Sequence, residues 1–280
     1  MGGDPAKKLV RYGGWVTVSQ VISPLFQYVD RFLIASILTL SAVAYYSIPQ
    51  EIVLRLLVIP MSLSLVLFPS FSTTKEWSSS LYARSVKYLL VVLLPVTLAV
   101  VAFAPEFLTW WIGSDFARGS TPLLQILAVG FLFNAMAQLP ATALLARGYP
   151  EIVAKLHLLE IVPTLVLTAF LLLAFGLPGA ALGWSLRVAV DCVLLFVAAH
   201  RLLPNMNKTM WGIPGLRGVG AIAAALVLYV AGMILPWSET RIALTGSSLG
   251  VYAVAVWIFL FDASDRAVFH QLRIRFFEES

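Results

Sequence analysis

Residues 152–175 read IVAKLHLLEIVPTLVLTAFLLLAF, and the fold class can be predicted from this segment. It is long enough to cross a bilayer as a helix, because a span takes about 20 apolar residues at 1.5 Å each. It also holds Glu160 in its interior, where an ionised group costs about 2.5–3.5 kcal/mol even on lenient insertion scales. Such a charge is tolerated when it faces another charge or a watery cavity. The stretch therefore predicts a transmembrane helix with one polar side.

The same pattern repeats along the chain, which is 60% hydrophobic and only 12% charged. A soluble domain carries about 25% charged residues, so this composition excludes a water-soluble globule. We predict an all-α, polytopic transmembrane helix bundle of about eight spans. The predicted spans are residues 13–37, 42–71, 88–104, 122–145, 152–175, 177–200, 219–235 and 242–261. Pro49, Pro60 and Pro69 predict a kink in the second of them.

The basic residues set the expected orientation, because cytoplasmic loops are enriched in lysine and arginine. With the N-terminus inside, 14 basic residues fall in cytoplasmic segments, and only Arg118 and Arg241 fall outside. We therefore expect both termini in the cytoplasm. The polar start, residues 1–12, precedes a full-length span, so we expect a retained helix and no cleaved signal peptide. The one sizeable external segment, residues 105–121, carries Trp110 and Trp111 where an interfacial aromatic belt would lie.

The charges divide the chain into regions. The spans between residues 13 and 201 carry charges or amides, apart from the third, whereas the last two spans carry no charge. This distribution predicts a six-helix lobe at residues 13–201, a cytoplasmic linker at 202–218, two peripheral helices at 219–262 and a cytoplasmic tail at 263–280.

The first two spans place polar residues at matching depths. Thr17, Gln20, Pro24, Gln27 and Arg31 recur every three or four residues and share one helix face, which either lines a cavity or packs on a neighbouring helix. Counting from the turn at residue 40, Arg31 and Glu51 reach similar depths. We therefore expect a cluster formed by Asp30, Arg31, Glu51 and Arg55, which either lines a cavity or only fixes helix packing.

The later spans add a second polar group. Glu160 lacks a basic partner at its own depth on its helix, and Arg187 on the next helix is one candidate; otherwise Glu160 could bind a proton. Arg187 and Asp191 are one turn apart. Asn134 and Gln138 line up on the fourth span, where interhelical hydrogen bonding is the expected role. Gly179 and Gly183 form a GxxxG pattern that predicts close helix packing.

Catalytic and metal sites are not expected. The three histidines are too dispersed for a metal site, and the single cysteine, Cys192, lies within a span. The external loops offer no paired carboxylates and no nucleophile with its base. The candidate cavity-lining residues are Gln20, Gln27, Asp30, Arg31, Glu51, Arg55, Asn134, Gln138, Glu160, Arg187 and Asp191.

The opening segment resembles a known family of transporters. Residues 13–19, GGWVTVS, together with Ser23-Pro24-Leu25 and residues 28–34, YVDRFLI, resemble the oligosaccharide flippases of the O-antigen type. Residues 42–46, AVAYY, and 67–72, LFPSFS, extend the resemblance over roughly the first 75 residues. Those flippases share a superfamily with multidrug and toxin extruders and with the flippase of the peptidoglycan precursor.

The resemblance implies an architecture and a substrate. Family members have two six-helix lobes around a central cavity, and this chain resembles the second lobe with two extra helices. A truncated reading frame, a fragment or a half that pairs with another chain would each explain the absence of a first lobe. The implied function is to flip an undecaprenyl-diphosphate-linked oligosaccharide across the bacterial inner membrane for surface polysaccharide assembly. Arg31, Arg55 and Arg187 would contact phosphate or acidic sugars. The amide side chains would contact sugar hydroxyls; they are Gln20, Gln27, Asn134 and Gln138.

Other functions stay open at this point. The chain could be an ion-coupled small-molecule exporter of the same superfamily, in which H+ or Na+ binds at Glu160 or Asp30. A membrane-embedded sugar polymerase or glycosyltransferase would need acids at the outer face, where only Glu106, Asp115 and Glu239 are available. An inactive half-transporter is the remaining alternative. We expect the bilayer, the lipid-linked oligosaccharide and a first lobe or polysaccharide assembly proteins as partners, and no nucleic acid and no cofactor.

Overall fold

The computed structural model describes residues 5–73 and 79–203, together with five single positions between 246 and 254. The side chains of residues 5–9, 11, 20 and 22–27 lie outside this description. The chain divides into two compact units, residues 1–204 and 205–280. The predicted spans at 219–235 and 242–261 fall almost entirely outside the described residues, and the predicted division of the chain stays a prediction.

The described part of the first unit consists of helices. They are α1 (Pro5–Ile37), α2 (Leu40–Arg55), α3 (Val58–Thr73), α4 (Ser79–Trp111), α5 (Ser114–Ala146), α6 (Pro150–Phe175) and α7 (Leu177–Leu202). Within the described residues, five stretches are long and apolar enough to cross a membrane, with α2 and α3 counted together, and α1 is not among them. The predicted helical, multi-pass bundle is confirmed.

The second predicted span is broken into two helices. α2 ends at Arg55 and α3 begins at Val58, and the two intervening residues form a turn. Pro60 has no N–H to offer the carbonyl of Leu56 four residues earlier, so the regular hydrogen-bond ladder cannot continue there. That carbonyl accepts a bond from the Ile59 N–H at 3.2 Å instead. The kink expected from the prolines is therefore a break near the middle of the span.

The segment predicted as an external loop, residues 105–121, is mostly helical. α4 runs on to Trp111 and α5 begins at Ser114, with Gly113 at φ 119° between them. A helix does not stop where its sequence becomes polar, because its backbone hydrogen bonds continue into the interface. Composition locates the hydrocarbon part of a helix and not its full length.

The helix α5 is the centre of the bundle. It contacts α2, α3, α4 and α7, while α6 packs on α7 and on α1. Small residues allow this packing: a Cβ at Gly130 would lie 2.7 Å from the ring of the buried Trp184. Ser185 of α7 donates a hydrogen bond to the Ile126 carbonyl of α5 at 3.0 Å.

One face of α6 is polar and buried, and the opposite face is apolar and exposed. Glu160, Thr164 and Thr168 follow one another at four-residue spacing and are all buried. Leu159, Val162 and Val166 point outward. In a membrane this arrangement turns the apolar face to lipid and the polar face to the bundle interior, which is the arrangement predicted from residues 152–175.

Candidate functional site

The side chains of α1 and α2 are joined by a buried hydrogen-bond network. The Tyr46 hydroxyl donates to Asp30 Oδ2 at 2.9 Å. Gln50 Nε2 lies 3.5 Å from the same oxygen. All three side chains are buried. A buried carboxylate is costly without such donors, so Tyr46 and Gln50 allow Asp30 to lie inside the bundle.

Arg31 extends this network toward the surface. Its Nε donates to Gln50 Oε1 at 2.9 Å, and its Nη2 lies 2.6 Å from Glu51 Oε1. The predicted approach of Arg31 to Glu51 across the first hairpin is therefore confirmed. The guanidinium also lies over the Tyr28 ring, 5.0 Å from its centroid. Tyr28 and Arg31 of α1 and Glu51 of α2 thus lie together, and the buried Gln50 supports Arg31 from the interior of the bundle.

Arg55 does not join that cluster. It lies one turn after Glu51 at the end of α2 and is exposed. Within the described part of the chain it makes no hydrogen bond and no ion pair. Of the four residues expected to cluster, the structure brings Asp30, Arg31 and Glu51 together and leaves Arg55 beside the helix break.

A second group of charges lies between α6 and α7. Arg187 Nη1 is 3.7 Å from Glu160 Oε2, and His157 Nε2 is 3.7 Å from Asp191 Oδ1. The four side chains are at most 15% exposed. Arg187 was one candidate partner of Glu160, and this pairing is confirmed. The carboxylates of Glu160 and Asp191 are close enough to repel each other when both are ionised.

The two groups of charged residues interact with each other through Arg187. Arg187 acts on Asp30 as well as on Glu160 and Asp191. The buried charges are three acids, Asp30, Glu160 and Asp191, against Arg187, so their formal charge is −2 when the acids are ionised and His157 is neutral. An excess of buried negative charge is unfavourable in a medium of low dielectric constant, and it favours binding of a cation or a proton.

The amides predicted on α5 make no hydrogen bond to the described residues of these groups. Asn134 and Gln138 are partly exposed, and their side chains make no hydrogen bond to any described residue. Thr142 donates to the Gln138 carbonyl of its own helix at 2.7 Å. The interhelical hydrogen bond from an α5 amide comes instead from Gln125, which donates to the Val101 carbonyl of α4 at 3.1 Å. Gln20 and Gln27 have side chains outside the described residues.

The sequence reasoning missed Tyr46 and Gln50 as site residues. The signal was present, because the two are one turn apart on the helix that carries Glu51. A tyrosine in a span is usually assigned to packing or to the membrane interface, so its hydrogen-bond partner is visible only in three dimensions. Within the described residues, no three His, Cys, Asp or Glu side chains are arranged to hold a metal ion.

The role of Tyr46 can be measured. Tyr46→Phe removes the donor nearest to Asp30 and leaves a buried acceptor less well satisfied, so we expect a loss of about 1–3 kcal/mol in stability. Thermal unfolding in detergent micelles would show it as a lower melting temperature. Tyr45→Phe is the matched control, because Tyr45 stacks on Phe116 and its hydroxyl bonds to no described residue. Equal melting temperatures for the two variants would contradict the network.

The chain is similar to proteins of polysaccharide assembly. Residues 1–121 match a family described as polysaccharide biosynthesis proteins. The chain is 38% identical over 193 residues to a Shigella flexneri protein provisionally named an O-antigen transporter. It is 25% identical over 197 residues to a Haloferax volcanii protein provisionally named a low-salt glycan biosynthesis flippase. Each alignment covers 68% of this chain, and 46% and 41% of the two relatives, so the chain matches less than half of either.

Proposed function

From its confirmed resemblance to O-antigen-type flippases, we propose that this multi-pass membrane chain is the second lobe of a transporter of lipid-linked oligosaccharides. The transporter would move an undecaprenyl-diphosphate-linked sugar unit across the bacterial inner membrane, with both termini of this chain in the cytoplasm. The names of both relatives describe transport or flipping and not glycosyl transfer. A first lobe, the bilayer and the lipid-linked substrate are the proposed partners.

The observation that carries the proposal is a polar surface at membrane depth. The Glu51 side chain is 46% exposed, and both Glu51 and Arg55 lie near the middle of Leu40–Thr73, a stretch that is long and apolar enough to cross a membrane. Charged side chains that face hydrocarbon at that depth are unfavourable, so we infer that this surface lines a water-filled cavity. A cavity of this kind suits a substrate with a polar headgroup, whose lipid tail stays in the bilayer.

The structure changes the roles proposed for the three arginines. Arg187 is 11% exposed and lies among carboxylates, which would repel a phosphate, so we assign it to the buried charge group. Arg31 is paired with Glu51. Arg55 remains as the exposed cation without a described partner, and we propose it as the contact of the diphosphate.

The buried excess of carboxylates supports coupling to an ion gradient. Asp30, Glu160 and Asp191 all interact with one arginine, so binding of H+ or Na+ would offset charge there. The affinity of these carboxylates for the ion would then differ between the two states of an alternating-access cycle. An ion-coupled exporter of another polar molecule remains the second candidate on the same observation.

The test uses a cell that lacks its own O-antigen flippase and expresses a complete two-lobed transporter containing this chain. We expect the unaltered protein to restore surface polysaccharide, Arg55→Gln to lower it at least tenfold, and Arg55→Lys to retain part, because lysine keeps the charge. Arg118→Gln is the matched control, since Arg118 is an exposed arginine at the start of α5. Immunoblots of surface polysaccharide and the amount of lipid-linked unit left in the cytoplasmic leaflet give the result. Failure of the unaltered protein to restore export would refute the proposal.

A further inference from the structure

We propose that Tyr28, Arg31 and Glu51 form a sugar-binding surface, separate from the contact of the diphosphate. This inference rests on the proposed function and assigns the two chemical parts of the substrate to different residues. The neutral sugar would stack on Tyr28 and exchange hydrogen bonds with Arg31 and Glu51. The anionic part would be held at Arg55.

The first argument is charge. The distance of 2.6 Å between Arg31 Nη2 and Glu51 Oε1 makes this surface formally neutral. A diphosphate would gain little from an arginine that already has a counter-ion, and the Glu51 carboxylate would repel it. Sugar hydroxyls donate and accept at once, so a neutral pair that offers both donors and acceptors suits them.

The second argument is the free hydrogen-bonding capacity of the pair. Arg31 uses Nε for Gln50 and Nη2 for Glu51, and its Nη1 bonds to no described residue. Glu51 is 46% exposed, and only its Oε1 is engaged among the described residues. A donor on Arg31 and an acceptor on Glu51, the residues of one ion pair, thus remain without a hydrogen-bond partner among the described residues. Vicinal hydroxyls of a sugar can bind such a pair in a bidentate manner.

The third argument is the aromatic ring. Tyr28 is 46% exposed, although it lies on a helix that packs within the bundle. The Arg31 guanidinium lies 5.0 Å from the ring centroid and fixes the side chain beside the ion pair. Aromatic faces bury the C–H face of a sugar ring while the hydroxyls bond at the edge, so a fixed, exposed tyrosine beside polar groups fits a sugar.

The fourth argument is that a buried residue of the bundle holds the Arg31 side chain in place. Gln50 is fully buried, accepts from Arg31 Nε and lies 3.5 Å from both Asp30 Oδ2 and the Tyr46 hydroxyl. Gln50 is therefore a positioning residue, which orients the guanidinium without reaching the substrate itself. A side chain held in advance loses less entropy when the ligand binds.

The experiment measures two probes on the full chain in lipid nanodiscs. One probe is a panel of neutral disaccharides built from galactose, rhamnose and N-acetylglucosamine, and the other is inorganic diphosphate; saturation-transfer NMR gives the affinities. We expect Tyr28→Ala to weaken the binding of at least one disaccharide tenfold, Tyr28→Trp to retain it, and neither change to alter diphosphate binding. Arg55→Gln should weaken the binding of diphosphate and leave the binding of the disaccharides unchanged. Unchanged diphosphate binding also shows that the tyrosine variants are folded.

The outcomes separate this inference from the proposed function. If Tyr28→Ala leaves disaccharide binding unchanged, or if the unaltered chain binds no disaccharide of the panel, the sugar-binding surface is refuted even when the complete transporter exports polysaccharide. If export fails while sugar binding depends on Tyr28, the proposed function is refuted and the surface stands. Loss of diphosphate binding in Tyr28→Ala would mean a single mixed site, which also overturns the separation.

Discussion

Arg187→Gln is expected to destabilise the lobe by about 3–5 kcal/mol, and adding Glu160→Gln should restore most of that loss. The single change leaves Glu160 buried 3.7 Å from where its arginine was, beside a second carboxylate at Asp191. An uncompensated buried charge carries a large desolvation penalty, whereas removal of both members of a pair is often nearly neutral. Thermal unfolding of the purified chain in detergent micelles, analysed as a double-mutant cycle, measures the coupling.

The sequence alone suggests Asp191 as a partner of Arg187, because the two are one turn apart. In the structure Asp191 lies instead against His157, at 3.7 Å. Asp191→Asn should therefore rescue Arg187→Gln less well than Glu160→Gln does. Arg118→Gln is the matched control for the loss of an arginine, since its exposed pair with Asp115 is worth at most about 1 kcal/mol. Better rescue by Asp191→Asn would mean that the pairing described for α6 and α7 is wrong.

Gly179→Ala should separate α6 from α7 and lower stability by about 3 kcal/mol. A Cβ at Gly179 would overlap the carbonyl oxygen and carbon of Leu171, which are backbone atoms and cannot move aside like a flexible side chain. Gly183→Ala should cost less, because its nearest contact is the Thr168 hydroxyl at 2.8 Å. The melting temperatures of the purified variants in detergent micelles show which of the two changes lowers stability more.

The matched control for this series is Gly14→Ala in α1, where a Cβ would have nothing within 4 Å. Alanine is a better helix former than glycine by about 1 kcal/mol, so this variant should be slightly more stable than the unaltered chain. If Gly179→Ala unfolds at the same temperature as Gly14→Ala, the close contact between α6 and α7 is not as the structure describes it.

The features that depend on spacing within a helix or across one turn could be predicted from the sequence. Arg31 and Glu51 were matched by counting from the α1–α2 turn, since antiparallel neighbours rise equally per residue. Gly179 and Gly183 predicted close packing, and a Cβ at either would meet α6. Helix ends were less accurate: α4 extends beyond the predicted residues 88–104 at both ends.

A multi-pass helical membrane protein with charges inside its spans can be predicted from the residues alone, because hydrophobic length and the cost of buried charge act on every span separately. Which charges form pairs depends on how the helices pack in three dimensions. Glu160 forms an ion pair with Arg187 of the next helix and not with a residue of its own helix. Asp30 accepts hydrogen bonds from Tyr46 and Gln50, and Arg55 is exposed at the break after α2. Pairing between helices depends on their rotation and mutual depth, which follow from the packing of small residues such as Gly130 against Trp184 and Ser185.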